Sequence, residues 1–418
     1  MAQAQTPSSR PSVVETVWFP RSAPETGQSE PCIMPSWFEQ VFGFAEDDYE
    51  SAQEKFNYDA VTGTLSVHGA DGRSFSAGRF KTPSLDSLRT NIDLKQAAEA
   101  LGNRPLLLRQ QVGDVSDMHT LEENRYAVFQ AASQFNSLEH VSEHGIPEHG
   151  ITCYSSDRTQ GPACATACAP GTVVRNYFAF GDKGQTGDRQ VKNLEDVENM
   201  LSNSQEQFFG VVNGYTLARE ENLQRLSKKL ARDAKLCEGI KSSLRIGVQE
   251  DTEVVCSGFG RKLYEGRGRE QLVTQAYCSA VSVSYSKCRT QLWEPFARLI
   301  LEALYEATLY VAVENAMRHP DQAGARKVFL TAVGGGVFGN DMRWVEDAMR
   351  KSFKKFQDIG LEVVLVSHGS LTPEFTRLER SFARATTSPG GALQRARARL
   401  VLLGLFFASA WAWLRRAR

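Results

Sequence analysis

Residues 327–340 read KVFLTAVGGGVFGN, and this stretch decides the fold. Residues 328–333 are a short apolar run rich in β-branched side chains and bounded by glycine, the pattern of a buried strand. Gly334, Gly335 and Gly336 follow, then Val337-Phe338-Gly339-Asn340. Glycine there lets the backbone turn sharply and bring peptide N–H groups up to an anion with no Cβ in the way. Asp341 is placed to cap a helix in which Met342, Val345, Met349, Phe353 and Phe356 recur at helical spacing. Strand, glycine loop and helix N-terminus together predict a phosphate cradle. The apolar run 361–366 predicts the second strand of a βαβ-type unit.

Outward from that unit, strands and helices alternate through residues 105–370. Strands are predicted from residue 106 into Gln111-Val112-Gly113-Asp114-Val115, over 126–132, over 173–180, and within 244–257 and 272–286, where Val281, Val283 and Tyr285 alternate. Residues 293–317 predict one long, largely buried helix. Residues 181–240 read as an insertion with a glycine-rich loop and a helix over 217–236, striped by Leu217, Leu223, Leu226 and Leu230. The predicted fold is therefore α/β, a three-layer α/β/α sandwich around the alternating elements. In front of it, residues 1–35 are rich in Pro, Ser, Thr and Gln and read as a disordered lead. Residues 36–103, opening on an aromatic cluster at Trp37, Phe38, Val41, Phe42 and Phe44, read as an accessory segment of short strands and helix packed onto the core.

With 418 residues the chain can build a large core, and 48 basic against 49 acidic residues leave no field to recruit nucleic acid. The eight cysteines lack the dense spacing of a small disulfide scaffold, and no charged-then-apolar leader opens the chain. Reduced thiols and an intracellular, cytoplasmic location are the expectation. Cys153, Cys164 and Cys168 sit among alanines, which favours buried small residues over a metal set. His140 and His144 are four apart, but Gly145 and Pro147 interrupt the segment and acids surround it, so a solvated loop is favoured and no metal is assigned. Gly258-Phe259-Gly260 lacks a preceding strand and following helix in register and reads as a flexible loop. From Arg380 onward there are eight arginines and no Asp or Glu, enclosing the uncharged run LVLLGLFFASAWAWL at 400–414. Fifteen helical residues rise about 22 Å against a hydrocarbon core of about 30 Å, so a C-terminal membrane anchor and a docked helix both stay open.

Four separated stretches point to one ligand. Gly113-Asp114-Val115 puts a carboxylate after a strand, and Ala131-Ala132…Asn136 ends the next strand with an amide. Asp157-Arg158-Thr159-Gln160-Gly161-Pro162-Ala163 opens a helix-like turn, and Gly334 to Asn340 supplies the third loop. Ligands of open α/β sheets bind outside the carboxyl ends of strands, so all four can meet on one rim.

In this order the motifs resemble those of the macrodomain family, which binds ADP-ribose; the resemblance covers about residues 104–370. It implies a macrodomain-like sandwich with a mixed central sheet. It also implies that Asp114, with Val115 beside it, meets the adenine amino group, that Asn136 lies by the distal ribose, and that Gly334, Gly335, Gly336, Val337, Phe338 and Gly339 wrap the pyrophosphate, with Asn340 at the end of that loop. The first loop departs from the usual glycine triplet. Its Asp157-to-Ala163 segment, with Arg175-Asn176-Tyr177-Phe178 and Gly184-Gln185-Thr186-Gly187-Asp188-Arg189-Gln190, is similar to a divergent, mainly bacterial macrodomain branch, some members of which remove ADP-ribose from proteins. On that resemblance Thr159, Gln160, Gly161 and Ala163 join the ligand set.

A hydrolase of this type must stabilise an oxocarbenium-like ribose and deliver water to C1″, which calls for a carboxylate near the distal ribose. Asp157 is the first candidate, with a helix-capping role as its alternative, and Asp341 is the second. Glu139 and Glu148 lie in a loop that reads as solvated and are outside candidates, while Gln160 and Asn136 could hold ribose hydroxyls. The expected function is hydrolytic release of ADP-ribose from a modified side chain, with no cofactor and with ADP-ribose or an ADP-ribosylated protein as partner. A non-catalytic reader of ADP-ribosylated proteins and a hydrolase of a free ADP-ribose-type metabolite are the alternatives.

Overall fold

The computed structural model describes residues 35–69, 72–264 and 270–387. Residues 1–34 and the tail run 400–414 lie outside the described residues, and with them the expected lead and anchor. Seven strands form the central sheet: β1 (Arg79–Lys81), β2 (Leu107–Val112), β3 (Val128–Ala132), β4 (Gly247–Glu253), β5 (Leu272–Cys278), β6 (Lys327–Leu330) and β7 (Glu362–Ser367). Their order across the sheet is β1-β4-β5-β3-β6-β7-β2. The pairs β5/β3, β3/β6, β6/β7 and β7/β2 are parallel, and β4 runs against both of its neighbours. The sheet is mixed, as expected, and its five adjacent parallel strands put all their carboxyl ends on one rim.

Alternate residues along a strand face opposite sides of a sheet. Val128, Val328, Leu330, Val363 and Leu365 enter one apolar core, whereas Phe129, Ala131, Phe329, Val364 and Val366 enter another. The first core is covered by α4 (Thr290–Arg318), α5 (Met342–Lys355) and α6 (Pro373–Thr387), which supply Trp293, Leu301, Val345, Met349, Phe375 and Leu378. The second is covered by α1 (Val115–His119) and α2 (Gln160–Ala167) through Val115, Met118, Ala163 and Cys164. These are the three layers of the sandwich.

A third cluster joins Trp37, Phe38, Phe42, Phe56 and Leu65 to Ala165, Val173 and Tyr177, so the aromatic N-terminal segment packs on α2 and on α3 (Ala169–Tyr177). Helix α3 corrects the strand expected over 173–180. Pro170 sits in its first turn, where a missing N–H is tolerated, and the whole helix is buried, so it lacks the polar face whose spacing would mark a helix. The helix expected over 217–236 is likewise two, Glu220–Leu230 and Ala234–Ser243, because the Asp233 carboxylate caps a new start by accepting from Leu236 N–H. Strand β5 ends at Cys278 instead of running to 286. Beyond it Ser282 exchanges hydrogen bonds with Thr216 of the insertion, and residues 283–285 form a 3₁₀ turn.

Candidate functional site

The carboxyl rim of β2, β3, β5, β6 and β7 opens into a cleft of two adjoining cavities of about 340 and 240 Å³, which share Thr159, Gln160, Thr331, Val366 and His368 as walls. The smaller is bordered by Gly113, Asp114, Val115, Arg158, Ala163 and Phe259. Asp114 caps α1: its Oδ1 accepts from Ser116 N–H and Oγ–H, and its Oδ2 has no partner among the described residues. Ser116 Oγ in turn accepts from Gly258 N–H at 2.9 Å, which fixes the loop that carries Phe259. Phe259 adopts φ +60°, unusual for an aromatic residue, and the Arg158 guanidinium lies over its ring at 5.0 Å. The stretch expected as a plain flexible loop thus presents an aromatic face beside a carboxylate.

The glycine loop borders the larger cavity through Gly334, Gly336, Val337 and Phe338. Gly334 and Gly339 have φ of +75° and +73°, values that L side chains rarely adopt. Asn340 is buried and braces the loop, its Nδ2 donating to Val281 O and Gly334 O, so it shapes the cradle from behind. Asn340 N–H donates to Gly334 O and Gly339 N–H to Gly336 O, but the N–H groups of Gly334, Gly336, Val337 and Phe338 make no hydrogen bond among the described residues. Unbonded N–H groups in succession form an anion-binding concavity. Gly335 stands against Met342 and Ala332 within the loop. On the facing wall, the N-terminus of α2 leaves Gln160 N–H and Gly161 N–H free of hydrogen bonds among the described residues.

The larger cavity is walled by Gln134, Glu139, His140, Asp157, Tyr215, Tyr285 and Phe338. Glu139 is 1% exposed. Its Oε2 accepts from Arg175 Nη2 at 3.2 Å and its peptide N–H donates to Tyr154 Oη, while Oε1 has no hydrogen-bond partner among the described residues. Arg175, wholly buried, also donates to Ser137 O and Thr172 Oγ1, and its guanidinium lies 3.5 Å from the centre of the Tyr277 ring. Burial pushes the Glu139 carboxyl up from 4.5 to about 8, outweighing the Arg175 charge that pulls the other way. His140 follows, its Nε2 also without a partner, and burial pushes it down to about 4, with His149 contributing. A glutamic acid and a neutral imidazole thus line the same wall near neutral pH.

The remaining predicted residues are placed as follows. Asp157 borders the larger cavity, but its Oδ1 accepts from Thr159 N–H two residues on, a local turn just ahead of α2 in place of the expected helix cap, since the N-cap position is Thr159. Asp341 borders neither cavity; it caps α5 by accepting from Arg343 N–H and pairs with the Arg343 guanidinium, whose hydrogen bonds hold its carboxyl below the usual range. Asn136 is buried outside the cleft walls, with Nδ2 donating to Gln190 Oε1 and Asn213 O and Oδ1 accepting from Leu138 N–H. The Gln160 side chain borders the cleft but clamps β3, accepting from Ala132 N–H and donating to Gln130 O and Cys164 Sγ. Glu148 accepts from Gly187 N–H at 2.8 Å and serves the insertion. Among the described residues no group of three or more His, Cys, Asp or Glu could hold a metal ion, and no helix is long and apolar enough to cross a membrane.

Sequence reasoning ranked Glu139 low because it lies among Glu143, His144, Glu148 and His149, in a loop that reads as solvated. The signal lay elsewhere. Arg175 sits inside the apolar run Thr172-Val173-Val174-Arg175-Asn176-Tyr177-Phe178, and an arginine buried there needs an anionic or carbonyl partner.

No protein-family model matches the chain, and no curated protein is similar to it in sequence. Among solved structures, poly(ADP-ribose) glycohydrolase from Deinococcus radiodurans in complex with ADP-ribose is similar at 13% identity and a TM-score of 0.38, over 73% of this chain and 93% of that one. The enzyme of the same name from Thermomonospora curvata is similar at 13% identity and a TM-score of 0.37, over 80% of this chain and 95% of that one. The chain's own cleft sets the unbonded N–H groups of the glycine loop on the carboxyl rim of a mixed sheet, with buried Glu139 on the same cavity wall.

Proposed function

We propose that the chain is a macrodomain-like hydrolase that releases ADP-ribose from a modified side chain, with Glu139 as its general acid. The observation that carries the reading is the Glu139 carboxyl. It is buried, pushed up to about 8, and has one oxygen without a partner on the wall of the cleft. A carboxylic acid kept protonated near neutral pH is suited to giving a proton to a leaving group.

In this reading the base lies against Phe259 with its amino group on Asp114, and the pyrophosphate takes the free N–H groups of the glycine loop. The distal ribose then reaches Glu139. Its acid proton passes to the leaving atom as the bond from that atom to C1″ breaks, and Arg175 stabilises the carboxylate that forms. Water then adds to C1″ and its proton returns to Glu139, so the enzyme is regenerated. Remote binding energy from adenosine and pyrophosphate holds the scissile bond at that point. Asp157, on the same wall and more exposed, is the second candidate for orienting the water.

The test is release of ADP-ribose from arginine- and glutamate-modified proteins by wild type, Glu139→Gln and Asp157→Ala. Thermal protection by ADP-ribose is measured in parallel. Release that is lost in Glu139→Gln while ADP-ribose still protects the fold is the expected result. Protection without release by any form makes the protein a reader of the modification. If ADP-ribose protects none of them, the reading fails.

A further inference from the structure

A second cavity, of about 680 Å³, stands apart from the cleft. It lies in the insertion, and a thin partition separates it from the leaving-group end of the site. Phe135 N–H donates to Gly214 O, and a side chain on Gly214 would stand 2.7 Å from Gln134 Cβ. Gln134 and Tyr215 face the cleft, whereas Phe135, Asn213 and Gly214 face the second cavity.

We propose that this second cavity docks an extended, positively charged stretch of polypeptide, the protein part of the ADP-ribosylated substrate. The inference rests on the hydrolase reading above and deepens it, because it selects a modified protein over a free metabolite.

Three observations carry it. The first is an unpaired strand edge. Residues Gly210–Val212 and Tyr215–Leu217 form a two-stranded hairpin closed by Asn213-Gly214 with φ of +46° and +80°, a two-residue turn of the primed kind. Thr216 N–H donates to Ser282 Oγ, away from its partner Val211, so Val211 and Thr216 are a non-hydrogen-bonded pair. The Val211 peptide groups therefore point outward, and no third strand pairs with the hairpin among the described residues. Val211 and Val212 border the cavity, and Val212 is 43% exposed. Such an edge accepts an added strand through main-chain hydrogen bonds.

The second is the floor, where buried Phe135, Leu194 and Phe209 give an apolar base beneath a polar rim, the anatomy of a protein interface. The third is charge. The rim carries Asp188, Glu195 and Glu198 against Lys192 alone; Lys192 lies 3.8 Å from Glu195, and Asp188 and Glu198 form no ion pair among the described residues. A cationic peptide complements that rim and an acidic one is repelled by it.

The test uses the full chain and a fluorescein-labelled decapeptide of Lys, Arg and Ser, with a Glu-for-Lys/Arg version as control. Anisotropy is read for wild type, for the double variant Asp188→Lys/Glu198→Lys, and for Val211→Pro, which removes the outward N–H. Both variants are expected to weaken the basic peptide at least about tenfold, and the control peptide is expected not to bind. With the same peptide carrying one ADP-ribosyl group, KM should rise by that factor at unchanged kcat, and turnover of an ADP-ribosyl glycoside of a small alcohol should stay the same. Peptide binding that survives charge reversal, or a KM that does not move, overturns the docking site. So does self-association of wild type that the double variant abolishes, since a second copy then occupies the cavity. Peptide binding that the variants abolish, in a protein that cleaves nothing, keeps the docking site and removes the hydrolase reading.

Discussion

Glu139 and Arg175 are buried together, 3.2 Å apart, and their charges do not share one fate. Arg175 stays charged because it has several partners at once: the Tyr277 ring, Ser137 O, Thr172 Oγ1 and Glu139. Glu139 has that one ion pair and an unpartnered second oxygen, so desolvation wins and its proton is held up to about 8. Activity that needs the acid form should therefore fall as pH rises through about 8. Glu139→Gln should lose about 10²–10⁴-fold in kcat, with ADP-ribose binding kept. The sign for stability follows from the same shift. A pKa raised on folding contributes stability that is complete below the unfolded value near 4.5 and is lost as pH rises towards about 8. Melting temperatures measured from pH 5 to 9 should decline in wild type relative to Glu139→Gln, which carries no titrating proton. Parallel curves would show that Glu139 is already ionised in the fold.

At the scale of elements, Gly161 brings α2 against β3. A Cβ there would fall 1.8 Å from Ala132 O and 3.2 Å from Glu139 Cγ, with backbone as the nearer obstacle. Gly161→Ala should thus push the helix from the strand, lowering stability by about 1–3 kcal/mol in urea unfolding and reducing kcat more than ADP-ribose affinity. Asp341→Ala should remove only the α5 cap, costing about 1 kcal/mol and leaving kcat as it was. A loss of turnover in Asp341→Ala comparable to that in Glu139→Gln would return the catalytic role to the glycine-loop side. These two positions also show what the sequence makes legible. The strand, glycine loop, cap and α5 were readable because each follows from local spacing and local conformation. Helix α3 was not, since it is buried on every side, Arg175 and Asn176 included, and so shows no apolar face against a polar one. Nor was the rank of Glu139, because its burial comes from Tyr154 and Arg175, far along the chain. Asn136 and Gln160 show the converse: their positions follow the motif, but their side chains are spent on Leu138, Gln190 and the end of β3.

At the scale of the molecule, the N-terminal layer meets the turn before Tyr154 through a carboxylate and an indole. Glu46 accepts from Ile151 N–H and Thr152 N–H at 2.9 and 2.6 Å and from Tyr177 Oη–H at 2.6 Å, and Trp37 Nε1 donates to Thr152 O. Those bonds hold the turn that ends in Tyr154, whose hydroxyl accepts from Glu139 N–H. The layer therefore bears on the acid's position without touching the cleft. Glu46→Ala should leave three donors at this junction without their acceptor and cost about 2–3 kcal/mol. The decisive readout is the split between parameters. If the layer only adds stability, kcat at a temperature well below the melting point should match wild type. If it positions Glu139, kcat should fall at that same temperature while thermal protection by ADP-ribose is unchanged, and Glu46→Gln, which keeps an oxygen acceptor, should recover part of the loss. The chain of contacts from Glu46 through Ile151 and Tyr154 to Glu139 favours the second outcome, because Glu46 accepts from Ile151 N–H, Ile151 O accepts from Tyr154 N–H, and Tyr154 Oη accepts from Glu139 N–H.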